Sequence, residues 1–399
     1  ASPVTAGAIS GVAGGAVSHI TVNSANDVLL DSISTDIDSI SIIQAQNLTI
    51  TGAVTAISFT QNAGSGTTTC NGPQVYSGAF SFTGTNLILN NSLTTGGNFQ
   101  FTGTALTVKN TMNVGTTISA TATGAITISN ANITSTGDQT WSAVAQGLRV
   151  TGGGTWQAGG AGISLPNTDL YLDHNGGTII LNANLSCRNL YFYRGNLNIA
   201  GRTVTTSANL ALWGTAYNPD DAEWTGADTR YAYFPAPTLV YYPAGGTYNA
   251  GTGLFSTAPN AAFAAGGLAG STLTVGGNFY DNGVSMNQGD CTLKIPDNSS
   301  SNPLYNTTSA ATATQWGTPY AVAFNMTAQN VTATSGFVAA ATAGQAIVNG
   351  GGNTNWQFNR PSINWAATVY DDVIRVEFNI AVENSNNEIS AALVGSTHR

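Results

Sequence analysis

A short motif that returns every 20 residues constrains this chain more than any other feature. It reads Asp-Leu-Tyr-Leu at 169–172, Asn-Leu-Tyr-Phe at 189–192 and Asn-Leu-Ala-Leu at 209–212. In each copy a polar residue precedes an apolar, variable, apolar triplet, which is the alternation of a strand with one buried face. One such strand cannot bury its apolar face alone, so the copies are predicted to stack on one another as a solenoid.

The same alternation extends towards the N-terminus in steps of 19 to 22 residues. The earlier pairs are Leu148/Val150, Ile126/Ile128, Leu106/Val108, Leu87/Leu89, Leu48/Ile50 and Val28/Leu30. One member of the series is missing near Thr68 and Cys70, where the sequence is polar. Asn or Asp often precedes a member, as at Asp27, Asn47 and Asn86, and these residue types favour bends because their side chains bond to nearby backbone. We therefore expect every coil to turn at the same place.

The predicted fold is all-β, a parallel β-helix (β-solenoid) with about 20 residues per coil. Short alternating runs between the motifs, such as 80–82 and 179–181, are bounded by glycine and give each coil room for two or three strands. With strands about 4.8 Å apart, the roughly ten coils between Val28 and Leu212 would form a rod about 45 Å long.

Composition fits a secreted chain with a substantial core. Hydrophobic residues make up 42% of the sequence and charged residues 7%, against about 25% in an ordinary domain. The net charge is −9 and no Lys or Arg precedes Lys109, so the basic surface that nucleic-acid binding requires is absent. The sequence contains no apolar run of about 18 residues, so no membrane span is predicted. The start at Ala1, without Met, favours a mature protein whose secretion signal has been removed.

We divide the chain into five segments. Residues 1–26 are predicted to be an N-terminal arm or cap, 27–212 the solenoid, 213–268 an aromatic-rich insertion, 269–360 continued solenoid or irregular β structure, and 361–399 a C-terminal strand segment. The ladder resumes after the insertion with Leu273/Val275 and Leu293/Ile295, again 20 residues apart.

The insertion has two interpretations. The preferred one is a loop or small β subdomain that packs over the solenoid. The alternative is a binding face for glycans or a partner, because Tyr and Trp are enriched at interfaces and offer flat faces to sugars. The residues that would form this face are Trp213, Tyr217, Trp224, Tyr231, Tyr233, Tyr241 and Tyr242.

The C-terminal segment contains the clearest alternating strand of the chain, at 371–383. Such a strand could cap the solenoid or complete a sheet in a neighbouring molecule by strand addition. The residues proposed for the inter-subunit strand are Val373, Arg375, Glu377 and Asn379.

No catalytic, metal or cofactor site is predicted. Hydrolysis of a glycosidic bond needs two placed carboxylates, and the mixed cluster in the repeat region is interpreted as a surface charge group. Its members are Asp173, His174, Arg188, Arg194 and Arg202. Histidines and cysteines show no metal-ligand spacing, and Cys187 is expected to be a core residue. Calcium is conceivable at Asp36 and Asp38, although a solvated strand face is the preferred interpretation.

Three passages carry a resemblance to a known group of proteins. Gly-Pro-Gln-Val-Tyr-Ser-Gly-Ala at 72–79 and Gly-Asp-Gln-Thr-Trp-Ser-Ala-Val at 137–144 look like copies of one phrase about three coils apart, and 195–204 reads Gly-Asn-Leu-Asn-Ile-Ala-Gly-Arg-Thr-Val. In repeat style these resemble bacterial surface β-helix proteins of the filamentous haemagglutinin-like and autotransporter adhesin type, over roughly residues 20–212 with 270–296 as an extension. The resemblance implies a right-handed parallel β-helix at a cell surface that works in adhesion or assembly.

The functional hypothesis is an extracellular structural protein that is not an enzyme. It would be a self-assembling subunit of a surface filament or layer, or an adhesin stalk, joined as a homo-oligomer through exposed strand edges and terminal segments. Surface glycans are possible partners. The alternative is a carbohydrate-binding or carbohydrate-cleaving β-helix of the tail-spike or lyase type.

Overall fold

A computed structural model describes most of the chain up to Trp213 and separate segments beyond it. The described residues are 4–7, 9, 18–34, 37–213, 260–276, 279–282, 284, 288, 291–294, 303–306, 326–329, 332–333, 347–349, 364–370 and 373–379. Within these ranges the regular secondary structure is entirely β, and no helix is long and apolar enough to cross a membrane.

The first of three parallel ladders contains the motif found in the sequence. Each strand pairs with its equivalent in the next coil. Its strands are β1 (Val4–Ala6), β3 (Val28–Leu30), β5 (Leu48–Ile50), β8 (Thr67–Cys70), β11 (Asn86–Leu89), β14 (Ala105–Val108), β17 (Ile126–Ile128), β20 (Leu148–Val150), β23 (Leu170–Leu181), β25 (Leu190–Asn198), β27 (Leu210–Trp213), β30 (Phe279–Asn282), β32 (Pro303–Asn306) and β34 (Thr332–Ala333).

The second ladder follows the first within each coil. It begins with β6 (Val54–Ala56), β9 (Gln74–Tyr76), β12 (Leu93–Thr95), β15 (Met112–Val114), β18 (Ile133–Ser135) and β21 (Gly154–Ala158). It continues through the second halves of β23 and β25 to β28 (Asn260–Phe263). Because β23 and β25 run through the corner, the first two ladders form one continuous sheet.

The third ladder is a separate sheet that completes each coil. Its strands are β2 (His19–Asn23), β4 (Ser39–Gln44), β7 (Ser58–Gln61), β10 (Phe80–Thr83), β13 (Phe99–Gly103), β16 (Ile118–Ala122), β19 (Gln139–Ala143), β22 (Ile163–Leu165), β24 (Leu185–Cys187), β26 (Thr203–Thr206), β29 (Ser271–Val275), β31 (Cys291–Lys294), β33 (Met326–Gln329) and β35 (Ile347–Asn349). The predicted parallel β-solenoid of about 20 residues per coil is therefore confirmed, with about ten turns between Val28 and Trp213.

The interior of the solenoid is filled by residues that repeat at the same position in successive coils. The rings of Phe59, Phe80 and Phe99 stack with centroids 4.6 and 5.6 Å apart, and Phe82 stacks on Phe101 at 5.3 Å. All five side chains are at most 1% exposed. Each buries large apolar area at roughly 25 cal/mol per Å², and stacked aromatic pairs add about 0.5–1.5 kcal/mol beyond that area.

The coil that seemed to lack a strand in the first ladder has one. The strand β8 pairs in register with β5 on one side and β11 on the other, with Thr68 opposite Leu48. Thr68 is 2% exposed, and its hydroxyl donates a 2.8 Å hydrogen bond to the Gln61 side-chain carbonyl, which is equally buried. The expectation of a missing strand was wrong because a buried Thr can replace an aliphatic residue when its hydroxyl has a partner.

The Asn and Asp residues ahead of the first ladder link successive coils. The Asn47 amide donates to the Asp27 carboxylate at 2.8 Å, and the Asn47 carbonyl accepts the backbone N–H of Thr67 at 2.8 Å. In a later coil, Asn189 donates to Asp169 at 2.7 Å. These residues do mark a corner, as predicted. However, the three hydrogen bonds described above join neighbouring coils and do not run to nearby backbone.

The two copies of the Gln-x-aromatic-Ser phrase do not occupy equivalent positions. The first lies on β9 of the second ladder and the second on β19 of the third. Both share one local bond, because the Tyr76 hydroxyl donates to the Gln74 carbonyl at 2.9 Å and the Trp141 indole N–H donates to the Gln139 carbonyl at 3.2 Å. The shared phrase is therefore explained by a local hydrogen bond, in which the Gln accepts from the buried Tyr or Trp two residues later. It does not mark equivalent positions in two coils.

The chain around the predicted insertion returns to the solenoid earlier than expected. β27 ends at Trp213 and β28 begins at Asn260, and both pair with β25, so the corner between the first two ladders falls between these two residues in this coil. Leu273 and Leu293 pair with each other as predicted, although in the third ladder and not the first. Residues 1–26, predicted to be an arm or cap, include β1 and β2, which pair in parallel with the next coil.

Candidate functional site

The aromatic residues proposed as a binding face fall almost entirely outside the described structure. The backbone of Trp213 ends β27. The remaining six, Tyr217, Trp224, Tyr231, Tyr233, Tyr241 and Tyr242, lie outside the described residues, as does Asp36 of the conceivable calcium pair. Within the part of the chain that the structure describes, no group of three or more His, Cys, Asp or Glu side chains could hold a metal.

The proposed inter-subunit strand forms a hairpin within the chain. β37 (Val373–Asn379) pairs antiparallel with β36 (Asn364–Tyr370), which places Arg375 opposite Thr368 and Glu377 opposite Ala366. The predicted strand is confirmed. One of its edges is taken by β36, so strand addition to another molecule would use the opposite edge.

The mixed charge cluster lies where the corner between the first two ladders is widened. Three residues separate Val150 from Gly154 in one coil, whereas six separate their partners Leu172 and Ile179 in the next. The extra residues stay in the extended strand β23, and the pairing with β25 shifts register on either side of Asp173. Two coils later, this same corner falls between Trp213 and Asn260.

Asp173 and Arg194 form a buried ion pair at this corner. The Arg194 Nε lies 2.8 Å from the Asp173 Oδ1, and the two residues are 9% and 3% exposed. His174, the next residue, is completely buried. Burial raises the pKa of the Asp173 carboxyl to about 7, while the charges of Arg194 and Arg149 oppose that rise. The interpretation as a surface charge group was therefore wrong for Asp173, His174 and Arg194.

The outward row of the first ladder also changes in character towards this corner. In earlier coils the row carries partly exposed Thr107 and Thr127, and it then continues with Arg149, Tyr171 and Tyr191. These three later residues point away from the core and yet are only 4%, 5% and 1% exposed. The alternation of apolar and polar residues in the sequence identifies the outward face of a strand. It cannot show that these three outward residues are buried.

The residues of the covered row contact one another along the solenoid axis. The Arg149 guanidinium carbon lies 5.2 Å from the centroid of the Tyr171 ring, which stacks on Tyr191 at 5.0 Å. Tyr191 and Tyr193 follow at 6.2 Å. A cation over an aromatic face is worth about 2 kcal/mol or more when desolvated. The sequence analysis did not predict that Arg149 belongs to this buried row. The available signal was the replacement of Thr by larger residues at one repeated position.

The other two members of the predicted cluster lie apart from the Asp173–Arg194 pair. Arg188 donates two 2.7 Å hydrogen bonds to Asp169 from Nε and the terminal amino group, and Asp169 also accepts from Asn189. The bonds to Asp169 raise the pKa of the Arg188 guanidinium. Arg202 is partly exposed at the corner that leads into β26.

Gly195 makes room for the buried imidazole of His174. A Cβ on Gly195 would lie 2.1 Å from the His174 ring, and the Gly195 backbone has a φ of +99°. Both features favour glycine, because other residues rarely adopt this backbone conformation and would overlap the ring. The pair fixes the path of β23 against β25.

The arrangement is suited to holding the corner together. Asp173 is ion-paired, and His174 has no exposed surface. Burial raises the pKa of the Cys70 thiol to about 12 and raises the pKa of the Cys187 thiol still further above its ordinary range. Cys187 is a buried core residue, as predicted.

The fold defines this chain as a parallel β-solenoid with three strands in its regular coils. Comparison with protein-family models, with curated proteins and with solved structures found no match. The β-solenoid part of the resemblance to surface adhesins is confirmed by the structure, and the relationship to those families remains a hypothesis.

Proposed function

We propose that the protein is an extracellular structural subunit, in the form of an adhesin stalk or a self-assembling element of a surface filament or layer. One observation carries the proposal: the strands from β3 to β27 of the first ladder pair in parallel register without interruption. A stack of this kind forms a stiff rod of about 45 Å because each coil is held by its neighbours along its whole length.

A structural role also agrees with where the charged groups lie. Glycoside hydrolysis needs two carboxylates placed on either side of an accessible bond. In the charge cluster, Asp173 is buried against Arg194 and Asp169 is bonded to Arg188 and Asn189. We therefore propose that the cluster stabilises the corner and that the protein is not an enzyme and needs no cofactor.

Assembly would use the ends of the solenoid. At the N-terminal end, β1 and β2 each pair along one edge with the following coil, and no described strand pairs with the other edge. Open strand edges template pairing with another chain unless they are covered. The β36–β37 hairpin supplies a strand of seven residues that could add to such an edge.

Electron microscopy at increasing protein concentration tests this proposal. We compare the full chain with a variant lacking 371–399, which removes β37, and with a control lacking 380–399, which keeps both strands of the hairpin. Filaments are expected for the full chain and the control and not for the variant without β37. Dispersed rods in all three samples would contradict self-assembly, and filaments in all three would contradict joining through β37.

A further inference from the structure

A depression of about 470 Å³ lies on the outer face of the third ladder. Its floor is a row of hydroxyls in four successive coils, because Thr140 pairs with Ser164, Ser164 with Ser186 and Ser186 with Thr205. None of the four residues is buried. Three steps between coils of about 4.8 Å make the row about 14 Å long.

Two further polar side chains stand at the edge of the depression. The Asp138 carboxylate accepts the backbone N–H of Ala161, and the Asn184 carbonyl accepts the backbone N–H of Thr203 at 2.9 Å. A carboxylate accepts through two oxygens and a primary amide donates through its NH₂ group. Both side chains are therefore held in place by the backbone and keep hydrogen-bonding capacity towards a ligand.

A glycine-rich corner forms part of the edge of the depression. The segment 159–162 reads Gly-Gly-Ala-Gly and leads from β21 into β22. A Cβ on Gly160 would lie 2.0 Å from the Asp138 carboxylate, and one on Gly162, whose φ is +130°, would lie 2.5 Å from the carbonyl oxygen of Asn184. Side chains at these two positions cannot be accommodated without moving the edge of the depression.

The chemistry of the lining limits the class of ligand. Hydroxyl groups both donate and accept hydrogen bonds, the lining includes one carboxylate, and it includes no Lys or Arg. An anionic ligand would meet a negative charge without a compensating cation, whereas an uncharged molecule rich in hydroxyls can exchange donors and acceptors along the whole row. The volume falls within the range of about 300–1,000 Å³ that is usual for ligand sites.

We infer that this depression binds an uncharged oligosaccharide laid along the solenoid axis. The row of hydroxyls is longer than a single sugar and is carried by strands of a packed sheet, so the site is formed before the ligand arrives, which lowers the entropy cost of binding. The inference is independent of self-assembly, since a rod can form filaments with this face empty or occupied.

To test the inference, the labelled 399-residue chain is applied to an array of neutral and anionic glycans, and the glycan that binds best is then titrated by calorimetry. The variant Thr140→Val/Thr205→Val removes two hydroxyls of the row. The control Thr60→Val/Thr102→Val changes two outward hydroxyls of the same sheet outside the depression. Valine suits a strand, so both variants are expected to fold.

We expect saturable binding of a neutral trisaccharide or longer chain, weakened roughly tenfold or more in the first variant, because two hydrogen bonds of about 1 kcal/mol each are lost. The control should bind as the unmodified protein does. Binding of anionic glycans alone, of no glycan, or equal affinities for the two variants would overturn the inference. Titration below the concentration at which filaments form separates this result from the outcome for assembly.

Discussion

At the scale of single residues, the solenoid depends on close approaches that few side chains permit. Gly195 lies against the His174 imidazole in a conformation with positive φ, and Gly201 has a similar φ of +69° with nothing near its missing Cβ. Alanine at Gly201 would therefore add backbone strain alone, whereas alanine at Gly195 would add both backbone strain and steric overlap.

We expect Gly195→Ala to lower the free energy of unfolding clearly more than Gly201→Ala. Strain at positive φ costs about 1–3 kcal/mol and applies to both, whereas overpacking a filled site adds about 1–3 kcal/mol at Gly195 alone. Denaturant titration of both variants measures the difference. Equal losses would show that the His174 ring moves aside at little cost.

The ionisation of Asp173 gives a prediction for pH dependence. Its pKa is about 7 in the folded protein, against an ordinary value of 3.8, so the folded state holds a proton at pH values where the unfolded state has released it. Because the folded state binds this proton more tightly, Asp173 contributes its full stabilisation below the ordinary pKa of 3.8. The contribution is lost as the pH rises towards the folded-state pKa of about 7.

The variant Asp173→Asn, which cannot titrate, serves as the reference. The stability of the unmodified protein relative to this variant should fall between about pH 4 and pH 7, with a slope approaching roughly 1.4 kcal/mol per pH unit. Denaturant titrations of both proteins across this range measure the slope. A relative stability that rises with pH would contradict the assigned environment of Asp173.

At the scale of the strand, polar residues are tolerated inside the coil when they come in pairs. Thr68 on β8 and Gln61 on β7 bond to each other in the interior. Thr68→Val leaves the Gln61 carbonyl without this partner and should cost about 1–3 kcal/mol of stability. Gln61→Leu combined with Thr68→Val should recover much of the loss, and a double-mutant cycle measures it. A stabilising effect of Thr68→Val alone would refute the pairing.

The strands also show what the sequence could and could not predict. The first ladder was predictable because Leu, Ile and Val that recur at one repeated position indicate a buried face. The strand β8 was missed because its buried positions are Thr68 and Cys70. The burial of Arg149 and Tyr171 on the outward face was missed because alternation distinguishes two faces of a strand and says nothing about what covers the outer one.

The site was harder to predict than the fold for a related reason. Asp173 and Arg194 are 21 residues apart and adjacent in space because one coil separates them. Their burial depends on a corner that is wider than its predecessors, and the spacing of the motif gave no sign of that widening. The row from Thr140 to Thr205 was equally hidden, since single hydroxyls are common in this Thr- and Ser-rich chain and become a surface only once the register is known.

At the scale of the whole molecule, we propose that solenoids join end to end into filaments. In that arrangement the strands of every subunit lie across the filament, and their spacing of about 4.8 Å runs along it. Lateral association of rods through their polar faces would also produce aggregates, but it would give no continuous ladder from one subunit to the next.

X-ray fibre diffraction of oriented assemblies is the most direct measurement. We expect a sharp reflection near 4.8 Å on the meridian, along the filament axis, and its loss together with the filaments when 371–399 are removed. A protein that remains as separate rods at every concentration, or filaments whose reflection near 4.8 Å lies on the equator, would contradict end-to-end joining.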